Sequence, residues 1–417
     1  MAGKNVIRFG VMGMHGFSRT HINSILSAAQ SGENVELTAV AAYRRELDEK
    51  YAAELELKGI RLVSSFEELI RMKGMLDFIT LPVGIHLHSS MALAAVNEGF
   101  NVYLEKPAAG SIQEVDALIR ARKKTSRKIF VGYQDCFQPS LRNLKRRFIA
   151  GEIGRLKKIV VAVAWPRPVS YYRRNTWAGR LFIDGKAVLD SPLNNACAHY
   201  MNLALFLAGR RTGSSATPVS VECEMYRVND IESADTVSVR VKTEEGVEIV
   251  WTASHACTQG YGPLIKVEGE TAVAAADRTP EGFRAPWFCT DAADSTVLFE
   301  RARQYADPFV QVSRYMNGNR KTPVCTLEMA RPHTLVVNGI HAAAPVIDIP
   351  ASHRAAVTLE NGDVLNTVPG MNEVIKSCYE KGCLLSESGC APWSKPAYST
   401  DVRNLTVFNR CDLKIGF

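Results

Sequence analysis

No stretch of this sequence approaches the ~20 consecutive apolar residues that a membrane-spanning helix needs. The opening MAGKNVIRFG contains no apolar h-region of a secretory signal. A cytoplasmic protein with no membrane partner is therefore the expectation. There is no internal repeat, no low-complexity segment and no basic arm interleaved with aromatics. The net charge of +7 is spread over scattered pairs and triplets such as Arg44-Arg45, Lys145-Arg146-Arg147 and Lys157-Lys158. That pattern reads as solvated faces and gives nucleic acid no footprint. The ten cysteines lack paired spacing, and the one cluster, Cys378, Cys383 and Cys390, fits no zinc template. Neither a disulfide framework nor a metal site is expected.

What is present is an ordinary globular composition, 46% hydrophobic and 22% charged, on a chain of 417 residues. Disorder is excluded by the first pair of numbers, and a single core by the last. Residues 1–137 alternate short apolar runs with helical patterns. Strands are expected at Val6–Met12, Val35–Ala42, Phe78–Leu81, Asn101–Leu104 and Lys128–Tyr133. Helices are expected at Phe66–Met72, Ser89–Glu98 and Ile112–Lys124. This is the pattern of βαβ units and a doubly wound parallel sheet. After a helix at Ser140–Ile149 the character changes. Strand-like runs at Lys157–Trp165, Val219–Arg227, Thr236–Lys242 and Val247–Ala253 enclose one helix, Asn195–Ala208. Residues 138–350 are accordingly expected to form an α+β domain on an open, mostly antiparallel sheet. Residues 351–417 read as a loop-rich extension with a helix at Glu373–Glu380.

The first strand ends in Gly10-Val-Met-Gly13-Met14-His15-Gly16-Phe17-Ser18 and runs into a helix. That is the setting of a dinucleotide turn, where backbone N–H groups at a helix N-terminus hold a pyrophosphate. His15 stands where G-x-G-x-x-G/A has its second glycine, so Gly16 is expected to take the close approach. The second strand ends Tyr43-Arg44-Arg45, without the carboxylate that normally binds the adenine ribose. Arginines there suit a 2′-phosphate, with Tyr43 available for stacking. The cofactor expectation is NADP or NAD, leaning to NADP.

Leu104-Glu105-Lys106-Pro107 closes the fourth strand. Leu81-Pro82 through His86 and His88 precedes it, and Val131-Gly-Tyr-Gln134 follows. This ordered set resembles the glucose–fructose oxidoreductase / inositol dehydrogenase / MocA family over about residues 6–345. Thr326-Leu-Glu-Met-Ala-Arg331 also resembles the helix that ends that family's second domain. The resemblance implies a Rossmann domain, a nicotinamide cofactor, a sugar, sugar derivative or cyclitol as substrate, and a homodimer or homotetramer formed through the second-domain sheet. It implies that Lys106 lies beside the nicotinamide and the reacting hydroxyl. Glu105, Pro82, His88 and Gln134 then become cofactor-side residues.

The family usually carries an Asp four residues before a His on one helix of the second domain. Here His199 fits the His, while Asn195 replaces the Asp and Asn202 a second acid. Asp190 could supply the missing charge if the chain folds back. Trp165, Arg167, Tyr172, Arg173, Asn175 and Trp177 form an aromatic and arginine-rich stretch suited to stacking on a sugar and hydrogen-bonding its hydroxyls. The candidate catalytic residues are thus Lys106, His199 and Asp190. The leading expectation is hydride transfer between a nicotinamide and a secondary alcohol. Two alternatives are redox-neutral glycoside cleavage through transient sugar oxidation with NAD, and a non-catalytic Rossmann binding protein.

Overall fold

The computed structural model describes residues 5–44, 47–277, 288–290, 295–297, 307–320 and 324–413. The chain divides into two compact units, neither continuous in sequence. The first comprises 1–109, 114–139 and 304–331, and the second 110–113, 140–303 and 332–417.

The first unit holds β1 (Ile7–Met12), α1 (Phe17–Gln30), β2 (Val35–Ala41), α2 (Glu49–Leu57), β3 (Arg61–Val63), α3 (Phe66–Arg71), β4 (Phe78–Leu81), α4 (Ile85–Asn97), β5 (Asn101–Leu104), α5 (Ile112–Thr125) and β6 (Ile129–Val131). Its six strands are ordered β3-β2-β1-β4-β5-β6 and all pair in parallel. This is the doubly wound arrangement, with the order reversing between β1 and β4, where such sheets bind ligands. Its central strands are buried on both faces and therefore apolar without alternation: Phe9, Val11, Ile79, Leu81, Val102 and Leu104 are all fully buried.

Helix α4 begins at Ile85, a turn earlier than Ser89. Its first turns bury Ile85 and His88, and a buried histidine does not register as an apolar position. Helix α2 buries only Ala52 and Leu55, too faint a stripe to read. The helix Pro308–Met316 returns to the first unit, sealing Phe309 against His21 and Tyr103.

The second unit contains α6 (Pro139–Ile149), β7 (Leu156–Ala164), α7 (Val169–Arg173), the small pair β8 (Phe182–Ile183) and β9 (Lys186–Ala187), and α8 (Ala198–Ala208). Then follow β10 (Pro218–Arg227), β11 (Thr236–Thr243), β12 (Glu248–Ser254), β13 (Tyr261–Gly269), β14 (Val273–Asp277), β15 (Phe288–Thr290) and β16 (Ser295–Val297). Beyond α9, the Pro308–Met316 helix, come α10 (Leu327–Ala343), β17 (Val346–Asp348), β18 (Ala355–Thr358), β19 (Val364–Thr367), α11 (Met371–Lys381) and β20 (Tyr398–Asp401). Among the described residues the main sheet runs β16-β15-β14-β13-β7-β12-β11-β10-β17, with β20 also on β10. It is mixed: most pairs are antiparallel, while β12–β7 and β10–β17 are parallel.

Residues 351–417 are more than loops. They form the hairpin β18–β19, add β20 to the sheet, and lay α11 along one sheet face. There Ala162, Ala164 and Tyr226 meet Ile375, Cys378 and Trp393 in one buried cluster. Glu224, from the same face, accepts hydrogen bonds from the Ser386 N–H and hydroxyl and from the Tyr226 hydroxyl. One face of the second-domain sheet thus carries this chain's own tail.

Candidate functional site

In the first unit, the turn after β1 is built for an anion. Gly13 has φ +85°, and a Cβ there would sit 2.6 Å from the Ser18 hydroxyl, so only glycine fits. Ser18 closes the turn by donating to the Met12 carbonyl at 3.0 Å. Gly16, φ +53°, is the N-cap of the 14-residue α1 and offers no capping side chain, and the first turn carries no acid. Nothing lies within 4 Å of where its Cβ would be. An uncapped helix N-terminus beside open space fits a pyrophosphate. Met14 is buried and His15 is exposed, while Phe17 is half exposed. His15 therefore does not fill the approach that Gly16 leaves open. Tyr43 is partly buried and Arg44 exposed just past β2; Arg45 lies outside the described residues.

At the end of β5, Glu105 is 8% exposed. Its Oε1 lies 3.0 Å from His21 Nε2, and its Oε2 accepts the Lys106 N–H at 3.1 Å. A Cβ on Gly132, next to β6, would stand 2.6 Å from Oε1. The glycine of the V-G-Y-Q run is thus the vacancy that admits the carboxylate. Lys106 is partly buried and Pro82 likewise, while Gln134 is exposed.

His88 sits wholly buried between two carbonyls. Nδ1 donates to Pro107 at 2.7 Å, and Nε2 lies 3.0 Å from the Val83 oxygen. Burial pulls its pKa below the ordinary imidazole range. A neutral ring bracing the turn after Lys106 is its structural position.

The second unit assembles another group of polar side chains. Helix α8 begins at Ala198, so Asn195 is not on it. Asn195 lies in a turn whose N–H groups bond back to the Ser191 and Pro192 carbonyls. The expected helix over 195–208 is corrected to 198–208, because the side chains of Asn194 and Asn195 bond locally to the Val188 carbonyl and to Asp190 and hold the segment in a turn. His199, on the first turn of α8, is partly buried, and Asn202 fully buried.

Asn195 Nδ2 donates to Asp190 Oδ1 at 2.8 Å, so Asp190 does fold back to it. The other Asp190 oxygen accepts the Gly179 N–H at 2.7 Å and lies 3.9 Å from Arg174. Arg174 stacks 3.7 Å from the centre of the Tyr171 ring and reaches toward Trp177. Arg167 lies between Trp165 and Tyr171, 5.7 and 5.1 Å from the two rings. Asn175 accepts from the Trp177 and Ala178 N–H groups, shaping the loop. Tyr172, Arg173 and Asn175 turn instead to a polar cavity.

Two residues here escaped sequence reasoning. Arg174 sits between Arg173 and Asn175 in the aromatic and arginine-rich stretch, where nothing local separates it from Arg173. His255 follows β12; it is 2% exposed, with Nδ1 donating to the Trp165 carbonyl at 2.8 Å. Burial, reinforced by Arg167, pushes its pKa down to about 3. No motif marks it; the pairing of β7 with β12 places it. His21 likewise gives no local signal of its bond to Glu105. Among the described residues no group of three or more His, Cys, Asp or Glu could hold a metal ion, and no helix is long and apolar enough to cross a membrane.

A six-stranded parallel sheet with an anion-ready turn at its switch point is the architecture of a dinucleotide-binding domain. Residues 7–133 match the family described as "Oxidoreductase family, NAD-binding Rossmann fold", and residues 141–275 match the GFO/IDH/MocA C-terminal domain. The chain belongs to this family and is an NAD-binding dehydrogenase of it.

The inositol 2-dehydrogenase of Rhizobium meliloti is 23% identical over 277 residues, 66% of this chain and 77% of that one. The myo-inositol 2-dehydrogenase of Thermotoga maritima is 24% identical over 283 residues, 66% and 76% of the two chains. Among solved structures, the WlbA dehydrogenase from Bordetella pertussis, in complex with NADH and UDP-GlcNAcA, is similar with a TM-score of 0.65 at 21% identity. That match covers 80% of this chain and 95% of the other, and shows the shared fold.

Proposed function

We propose that this dehydrogenase transfers a hydride between a nicotinamide cofactor and a secondary alcohol of a sugar, sugar derivative or cyclitol. The carrying observation is the Glu105–Lys106 step at the carboxyl end of β5, where doubly wound sheets place ligand chemistry. The Arg174–Tyr171 stack beside Asp190 and Asn195 supports a polyhydroxylated substrate. The inositol dehydrogenases among its relatives point the same way.

When bound, the nicotinamide supplies the hydride acceptor for the carbinol carbon. The chain's own part is the proton. Lys106 and His199 are the pair assigned to take it from the hydroxyl and to hold the alcohol, with Asn195 and Asp190 ordering the polar surface upstream of His199. The Gly13–Gly16 turn and the N-terminus of α1 hold the pyrophosphate. Tyr43, Arg44 and Arg45 favour NADP through its 2′-phosphate. Pro82 and Gln134 complete the cofactor side; Glu105 lies buried behind Lys106, and His88, expected there too, is instead taken up by the Pro107 and Val83 carbonyls. We assign residues 1–137 to the cofactor, joined by the returning segment 304–331, the rest of 138–350 to substrate and self-association, and 351–417 to an extension packed on the second domain. Cytoplasmic location is part of this reading. A homodimer or homotetramer through the second-domain sheet is too.

The test is steady-state oxidation of a panel of polyols and sugars, myo-inositol included, with NADP and with NAD. Lys106→Ala should lower kcat by roughly a hundredfold or more, with cofactor binding retained. Unchanged turnover in that variant would remove Lys106 from the mechanism. Inactivity toward the whole panel with bound cofactor would overturn the substrate class.

A further inference from the structure

The second unit contains a cavity of about 920 Å³ beside the Asp190–Asn195 group that the reaction proposed above uses. One wall is the segment after β7, with Tyr172, Arg173 and Asn175; a second is the β10–β11 connection, with Asp230. The third wall comes from the tail, with Arg354 and Asn366, beyond the residues that match the family.

The framework of this cavity is tied together by hydrogen bonds and ion pairs. Arg227 Nε and Nη2 donate to Asp348 at 3.0 and 3.1 Å, and its Nη1 donates to the Ile231 and Glu232 carbonyls. Asn366 Nδ2 donates to Asn229 Oδ1 at 3.0 Å, and Asn229 is itself anchored to the buried Asp235. Arg180 pairs with Glu232.

Against this saturated frame, two charged groups are unspent. Arg173 and Asp230 make no hydrogen bond and no ion pair among the described residues, and act on their surroundings only through space, Arg173 on Asp363 and Asp230 on Arg227. A guanidinium offers five donors and a carboxylate about four acceptor positions. One unspent cation and one unspent anion match a neutral ligand presenting many hydroxyls, each able to donate and accept. The sparsity of apolar wall excludes a lipid tail, and the single unspent cation gives little hold on a polyphosphate.

The cavity also connects to the substrate side of the unit. Gly179, in its wall, donates to Asp190, and Asp190 accepts from Asn195. The segment 169–180 thus turns Tyr171 and Arg174 toward Asp190 and turns Tyr172 and Arg173 into the cavity.

We propose that this cavity is an extended carbohydrate subsite, so that the substrate is a neutral glycoside or oligosaccharide rather than a free monosaccharide. The inference rests on the sugar reading of the protein. The tail hairpin β18–β19 then sets substrate length, since Asn366 and the neighbouring Arg354 form the outer wall.

The experiment presents fluorescently labelled full-length protein to an array of neutral mono- to tetrasaccharides, beside acidic counterparts. Selective retention on di- or trisaccharides is expected. Arg173→Ala and Asp230→Ala should each weaken it roughly tenfold, leaving the thermal midpoint and NADPH binding unchanged, because neither side chain holds the fold. Asn366→Ala should shift the preferred length. No retained oligosaccharide, or equal retention by both variants, overturns the subsite. Preference for the acidic series overturns its neutral character. Titration with NADPH and oxidation of simple polyols in the same preparations separate the two failures. If both persist while the array stays silent, the subsite alone falls; if both are absent, the hydride-transfer reading falls with it.

Discussion

Glu105 Oε1 and His21 Nε2 stand 3.0 Å apart in the interior of the first unit, both nearly sealed from solvent. The ring of His21 is wedged edge-on between Tyr103 and Phe309, at 5.4 and 5.2 Å. The carboxylate that receives the Lys106 N–H is therefore positioned by a histidine from α1 and by a phenylalanine more than two hundred residues further on.

Gly132→Ala should disturb this arrangement directly. The new methyl would stand 2.6 Å from Glu105 Oε1, inside contact distance. Overpacking of this kind costs about 1–3 kcal/mol. A lower urea midpoint and a reduced kcat are expected together, the second because the Lys106 backbone loses its acceptor. A stable, fully active Gly132→Ala protein would show that Glu105 has room the structure does not give it.

Asn195→Asp would restore the acid usual in the family and should still harm this protein. Asn195 Nδ2 donates to Asp190 at 2.8 Å; a second carboxylate there must share a proton with the first, since like charges so close raise one pKa. The expected cost is about 1–3 kcal/mol above pH 6, relieved in acid. Comparing thermal midpoints of the variant and the parent at pH 5 and pH 8 reads the difference.

Buried histidines give the stability a defined pH dependence. Burial lowers His341 to about 4 and His255 to about 3, and also lowers His88. The unfolded chain binds protons at these rings from about pH 6.5 downward, whereas the folded protein does not until its own lower values are reached. Stability is full above pH 6.5 and declines as pH falls, by roughly 1.4 kcal/mol per unit for each histidine, until the folded pKa is passed. Urea midpoints between pH 7.5 and 5 should follow that slope, and His341→Gln should make it shallower by about one proton's worth.

Trp393→Ala should loosen the tail from the sheet. Trp393 is 5% exposed and packs edge-on against Tyr226, their ring centres 4.9 Å apart. A loss of about 3–5 kcal/mol is expected for emptying such a site. The uncovered apolar face should also promote association, read as rising light scattering with concentration. A variant as stable and as dispersed as the parent would mean that α11 is held by other contacts alone.

The sequence by itself determined the doubly wound sheet, because parallel strands buried on both faces must be continuous apolar runs separated by helical patterns. It also determined the Gly13–Ser18 turn and the Glu105-Lys106 step, since these are local, contiguous residues with narrow chemical purposes. Asp190 was named through its chain proximity to Asn195, a separation of five residues being short enough to fold back. Tertiary structure alone decided the rest. His21 and Gly132 meet Glu105 from two separate segments while Phe309 backs His21 from a third, and only packing brings them together. His255 reaches Trp165 through the pairing of β7 with β12, which no spacing announces. The tail read as loops because its strands are four residues each and its helix is isolated. Its apolar positions acquire meaning only from the sheet face they cover. Arg354 and Asn366 close the polar cavity for the same reason: the contacts are long-range, and local patterns record only neighbours in the chain.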